Sequence, residues 1–82
     1  MLSSEFVRIL RCPETYQALA IADGKVISRL NEQIAAGSLR NRAAQTLTRP
    51  LEGGLLRDDR RVLYPIIDET PILLVDEGIE MQ

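Results

Sequence analysis

The 82-residue sequence has no histidine, no tryptophan and a single cysteine. One thiol cannot close an intramolecular disulfide, and without histidine a soft tetrahedral metal site cannot be built from the side chains of one copy. The missing histidine also removes the usual base that activates a nucleophile. No apolar run approaches the ~20 residues of a membrane span, and no secretory signal opens the chain, so a cytoplasmic protein with no membrane partner is expected. Gly53-Gly54 lacks the lysine of a phosphate-cradling loop, and there is no internal repeat. One domain over 1–82 is expected. A chain this short buries only roughly 60% of its extended surface. With no covalent or metal staple, burial against a protein partner or a second copy is the expectation this favours.

The formal net charge is −2, which argues against a general nucleic-acid binder. The charges are unevenly distributed. Every lysine and arginine precedes Val62, while Asp68, Glu69, Asp76, Glu77 and Glu80 occupy the remainder. Arg40, Arg42, Arg49, Arg57, Arg60 and Arg61 form the basic cluster, read as a solvated face balanced by nearby acids.

Ser3 or Ser4 suits the cap of a short helix, with Glu5 in its first turn and Phe6, Ile9 and Leu10 on one face. Pro13 stops that helix. Gln17–Ile21 alternates and ends at Asp23-Gly24, so it reads as a short strand followed by a turn. Val26, Ile27, Leu30 and Ile34 then recur at helical spacing, and Gly37 suits the position after the helix end. The stretch from Ser38 to Ala44 reads as a loop with helical character, and Gln45–Thr48 as a brief strand before Pro50. Leu55–Arg57 and Arg61–Tyr64 flank Asp58-Asp59 as a β-hairpin. Two further apolar segments, Leu63–Ile67 and Ile72–Val75, flank Asp68-Glu69-Thr70 as strand, tight turn, strand, and the prolines are expected at strand ends or edges. The fold class expected is α+β: a small antiparallel sheet from the two ends of the chain, an N-terminal helix and an inserted helical element over about 25–50.

Ile9-Leu10-Arg11-Cys12-Pro13, the hairpin, and the run from Tyr64 to Leu74 occur in the order of one family. The chain resembles the small zinc-binding activator subunit of transfer-RNA and protein methyltransferases and its bacterial stand-alone relatives, over roughly residues 2–22 and 54–79. That family opens with Cys-Pro-x-Cys, returns with Cys-x-x-Cys before Tyr-Pro-Ile, and continues Asp-Gly-Ile-Pro-Val-Leu-Leu. Only Cys12 remains of the four cysteines; Thr15, Arg57 and Arg60 stand at the other positions. A hydroxyl is a poor zinc ligand and a guanidinium is permanently charged, so a zinc-ribbon-like fold without zinc is expected. Glu69-Thr70 replaces the usual Gly-Ile, which predicts a different turn.

For Cys12 the alternatives are a small buried hydrophobe, a reactive thiol aided by Arg11, or an intermolecular metal or disulfide link; burial is favoured. For Arg57 to Arg61 they are an exposed turn whose ion pairs contribute little, favoured here, or Arg–Asp pairs that hold the corner. Asp68-Glu69 and Asp76-Glu77 lack the cleft and nucleophile that paired catalytic carboxylates need. No enzyme activity and no cofactor are expected. The function expected is a non-catalytic accessory or adaptor protein. By the resemblance, its partner would be a methyltransferase that uses S-adenosylmethionine. Ile66, Ile67, Ile72, Leu73, Leu74 and Val75 are the candidate partner-binding residues, and if Ile72 or Leu74 points inward, period-two alternation turns Leu73 and Val75 to the partner. The rivals are an RNA- or ribosome-associated module and a small homodimer.

Overall fold

The structure is a computed structural model that describes residues 4–81. Helix α1 (Ser4–Ile9) is followed by β1 (Leu19–Ile21), α2 (Gly24–Ala35), β2 (Gly53–Arg57), β3 (Val62–Ile67), β4 (Thr70–Pro71) and β5 (Ile79–Glu80). The strands form one antiparallel sheet. Strand β1 pairs with β2 and β2 with β3, while β4 and β5 share the far edge of β3, opposite Ile66–Ile67 and Val62–Leu63 respectively. The α+β class, the antiparallel sheet and the two helices are as expected. No helix among the described residues is long and apolar enough to cross a membrane.

Period-two alternation gives this sheet two buried faces. Leu19, Leu55, Val62 and Tyr64 join Val7 of α1 and Cys12 in one core, with Leu10, Ile66 and Leu73 packed against it. Leu63 and Ile79 join Leu30 and Ile34 of α2 and Leu39 and Leu51 of the following loop in a second, with Leu56 at its margin. Gly54 lies on this second face. A Cβ there would lie 2.5 Å from Leu63 Cδ2 and 2.9 Å from its Cγ, and Leu63 is fully buried. Gly54→Ala is therefore expected to destabilise the fold by about 1–3 kcal/mol through overpacking, read as a lower denaturation midpoint with unchanged slope.

Helix α2 starts and stops on its own residues. Asp23 caps it by accepting from the Lys25 N–H at 2.7 Å, so Asp23-Gly24 is a helix start rather than the expected turn. At the other end Gly37, with φ 73°, donates to the Ile34 carbonyl while the Ser38 N–H reaches that of Gln33, the paired bonds of a Schellman end. The loop beyond is hairpin-like rather than helical: Asn41 donates from its backbone to Gln45, and Leu47 to Leu39. Thr46 makes one isolated bridge to Arg40 in place of the expected strand. The Asn31 side chain pins the return, with both its oxygen and its nitrogen bonded to the backbone of Leu51.

Other expectations need correction. Ser4 is the first residue of α1, and Ser3 lies outside the described residues. On α1 the buried residue is Val7, with Leu10 beside it, whereas Phe6 and Ile9 are exposed. Pro65 is buried inside β3, between β2 and the β4–β5 edge, not at a strand end. In an antiparallel strand a residue's N and C=O point the same way, and the Pro65 carbonyl accepts from Ile72, away from β2. The donor that proline lacks would thus point into the gap between β5 and β4, where no ladder bond is lost. Asp68 and Glu69, at φ 50° and 62°, form a two-residue turn of the type that matches strand twist, closing Ile67 on Thr70. The run Ile72–Val75 is not a strand. It crosses irregularly from β4 into a short 3₁₀ turn at Val75–Glu77, and β5 takes the closing position.

Candidate functional site

Two turns face each other on the α1 side of the sheet. The first follows Cys12: its N–H bonds to the Gln17 carbonyl, its carbonyl accepts from Tyr16, and Tyr16 sits at φ 61°. The second closes β2 onto β3: Arg60 donates to the Arg57 carbonyl and sits at φ 63°, while Asp58 donates to Ala18. Arg57 alternates with Leu55 and so points into the first core.

Cys12 has no exposed surface. Its Sγ lies 3.1 Å from the Tyr64 hydroxyl and 3.8 Å from Arg57 Nη1. Burial pushes the thiol upward, but hydrogen bonds from the Tyr64 hydroxyl, the Thr15 hydroxyl and the backbone N–H groups of Thr15 and Glu14 together outweigh it. The result is a pKa of about 6. Burial and the same sulfur raise the Tyr64 pKa well above its ordinary value, so this phenol stays protonated and donates to the thiolate.

Arg57 is buried at 7% exposure and engages acids on two sides. Nε and Nη2 make a two-pronged bond to Asp59 at 2.9 and 2.8 Å, and Nη1 reaches Glu14 at 3.1 Å. The same Glu14 oxygen takes Arg42 Nη1 at 2.8 Å. Asp59 also accepts from the backbone N–H of Arg61 and the Gln17 amide. Its carboxyl is held far below the usual range by Arg57 first, then by those N–H donors. Glu14 is lowered chiefly by Arg42 and then Arg57. No buried side-chain polar atom among the described residues is left unpartnered.

The corner is thus held by Arg–Asp pairing, not left as the exposed turn expected. Of the four positions at which the resemblance places zinc ligands, Cys12 and Arg57 meet. Thr15 contributes hydrogen bonds to the sulfur, and Arg60 is exposed on the turn. Arg11 turns back to the carbonyls of Arg8 and Leu10 rather than toward the thiol. A guanidinium lies 3.8 Å from the sulfur, and a permanently charged group is no zinc ligand; among the described residues no three cysteine or acidic side chains are grouped to hold a metal. Tyr64, Glu14 and Arg42 were not singled out for this corner from sequence. Tyr64 could have been found by its alternation with Val62. Nothing local marks Glu14 and Arg42, which converge from distant segments.

The candidate partner residues do not form one exposed strand. Ile66 and Leu73 pack on the first core, Ile67, Ile72 and Val75 are half-buried, and Leu74 alone is well exposed, at 61%. The thiol should behave accordingly: native Cys12 resists maleimide at neutral pH despite its low pKa, and labelling rises only as denaturant opens the fold. Rapid labelling of the native protein would contradict its burial.

No protein-family model matches the sequence, and no curated protein matches it. The solution NMR structure of XF2673 from Xylella fastidiosa, a Northeast Structural Genomics Consortium target, is similar. It superposes with a TM-score of 0.76 at 26% identity, over 96% of this chain and 81% of that one. The two share this small α+β fold.

Proposed function

We propose that this chain is a non-catalytic accessory protein that docks on a larger enzyme through the α1 side of its sheet. The observation that carries the reading is how incompletely that side is covered. A six-residue helix is the only helix packed there among the described residues, and Ile9 of that helix, Tyr16 of the Cys12 turn and Ile21, two residues on from the buried Leu19, remain 73%, 77% and 54% exposed, while Leu74, beyond β4, is 61% exposed. Several large apolar side chains left exposed on so small a domain fit an interaction surface. In the polar corner beside it the thiol is buried and every buried polar side-chain atom is partnered, which suits a scaffold rather than a catalyst.

The resemblance of residues 2–22 and 54–79 to methyltransferase-activator subunits supports a methyltransferase as the partner, with S-adenosylmethionine held by that partner. On this reading the two facing turns are a zinc-ribbon-like corner in which the Arg57 guanidinium takes over the cation's position beside Cys12.

Tagged protein recovered from its native cell and quantified by mass spectrometry tests this, with Leu74→Lys as the comparison. Leu74 is exposed, so the substitution leaves the melt unchanged, whereas Leu73→Lys would injure the core on which Leu73 packs. The expected result is a methyltransferase recovered with the wild type and lost from Leu74→Lys. Recovery of ribosomal components equally by both proteins, or a homodimer by light scattering with no other partner, would replace the proposal.

A further inference from the structure

We propose that the cleft beside this corner is a binding site for a phosphate-type oxyanion. The cleft has a volume of about 400 Å³ and is lined by Arg42, Arg57, Arg61, Val62, Glu80 and Met81. Half of that lining is arginine, the side chain whose planar fork matches phosphate oxygens.

Two of the three guanidiniums are already fixed. Arg57 is buried and clasped by Asp59 and Glu14, and Arg42 is tied to the same Glu14 oxygen. Ordering these long side chains is therefore a cost met during folding rather than on binding. Donors remain. Arg57 has five N–H groups, four of them committed, and Arg42 gives one Nη1 hydrogen to Glu14. Arg61 makes no side-chain hydrogen bond or ion pair among the described residues, so its whole fork is available.

Glu14, Asp59 and the Cys12 sulfur are used in holding the arginines. The one acid on the lining is Glu80, whose side chain is 72% exposed and 3.5 Å from Arg42 Nε. It stands at the rim, where an entering anion displaces it. Phosphate borne by a small molecule and phosphate in a nucleic-acid backbone share this chemistry, and three guanidiniums lining one small cleft favour the compact dianion of the former.

Arginine Nε–Hε NMR of the full chain, titrated with inorganic phosphate against chloride at matched ionic strength, tests the site. Saturable shifts at Arg42, Arg57 and Arg61 are expected. Arg61→Gln should weaken binding about tenfold, the loss of one charge-assisted contact. Glu80→Gln should tighten it, an effect that a merely structural role for these residues would not produce. Absence of saturation by phosphate, or unchanged affinity in Arg61→Gln, overturns the site. Shifts produced by single-stranded RNA lacking terminal phosphates but not by inorganic phosphate also overturn it and indicate backbone contacts instead. These results are independent of whether a protein partner is recovered.

Discussion

Replacing Arg57 by alanine is expected to destabilise the fold by about 3 kcal/mol, a fall in Tm on the order of 15 °C for a chain of this size. The side chain is 7% exposed and connects three elements: the Cys12 turn, the hairpin turn and, through Glu14, the Arg42 loop. Removing one partner from a buried ionic cluster costs about 3–5 kcal/mol because the others are stranded. The lower end applies because Asp59 and Glu14 are 30% and 36% exposed and regain water. Arg57→Lys should recover little of the loss, since a point charge cannot reproduce the two-pronged contact with Asp59. Thermal melts of both variants check this, and an Arg57→Ala melt that overlays the wild type would show the cluster contributes nothing.

The second large effect is on pH. Cys12 has a folded-state pKa of about 6 against an ordinary value of 9.0. A group whose pKa is depressed by folding adds stability that is complete above the unfolded value and lost as pH falls through the folded one. Between pH 9 and pH 6 the unfolded chain holds the thiol proton and the folded chain does not, so stability should decline steadily across that window. Cys12→Ala should flatten this limb, while leaving a separate acidic limb in which Asp59 and Glu14, both lowered by arginines, lose their stabilising charge as they protonate. Urea midpoints measured at intervals from pH 5 to 9.5 decide it; a wild-type profile level between pH 6 and 9 would rule out a buried thiolate. The Arg57→Ala penalty should also shrink below pH 6, where the sulfur it faces is neutral.

Where a segment could be read from sequence, a local period fixed it. Val26, Ile27, Leu30 and Ile34 can only be striped on a helix, and Leu55 to Tyr64 around Asp58-Asp59 can only be a hairpin. Composition misled at Ile72–Val75. Apolar, β-branched residues suit a strand, but a strand also needs a free partner edge. Here β4 and β5 divide the edge of β3 between them, and the intervening chain must leave it to pass from one to the other. Arg57 was misread for a related reason. Charge suggested surface, although alternation with Leu55 places it on the core face and Asp59, two residues on, is a ready counter-ion. Sequence neighbours disclosed half of the candidate site. Glu14 and Arg42 reach it only through the folded topology.

Strand β3 contributes Val62 and Tyr64 to one core and Leu63 to the other, so the two clusters share a single party wall. Neither half can melt and leave the other intact, because loosening one face frees the backbone that sets the side-chain positions of the opposite face. Despite having two cores, the chain should therefore lose structure as one unit, with calorimetric and van't Hoff enthalpies in agreement. A change confined to the α2 face would then be felt at the thiol on the far side of the sheet, without any contact between them.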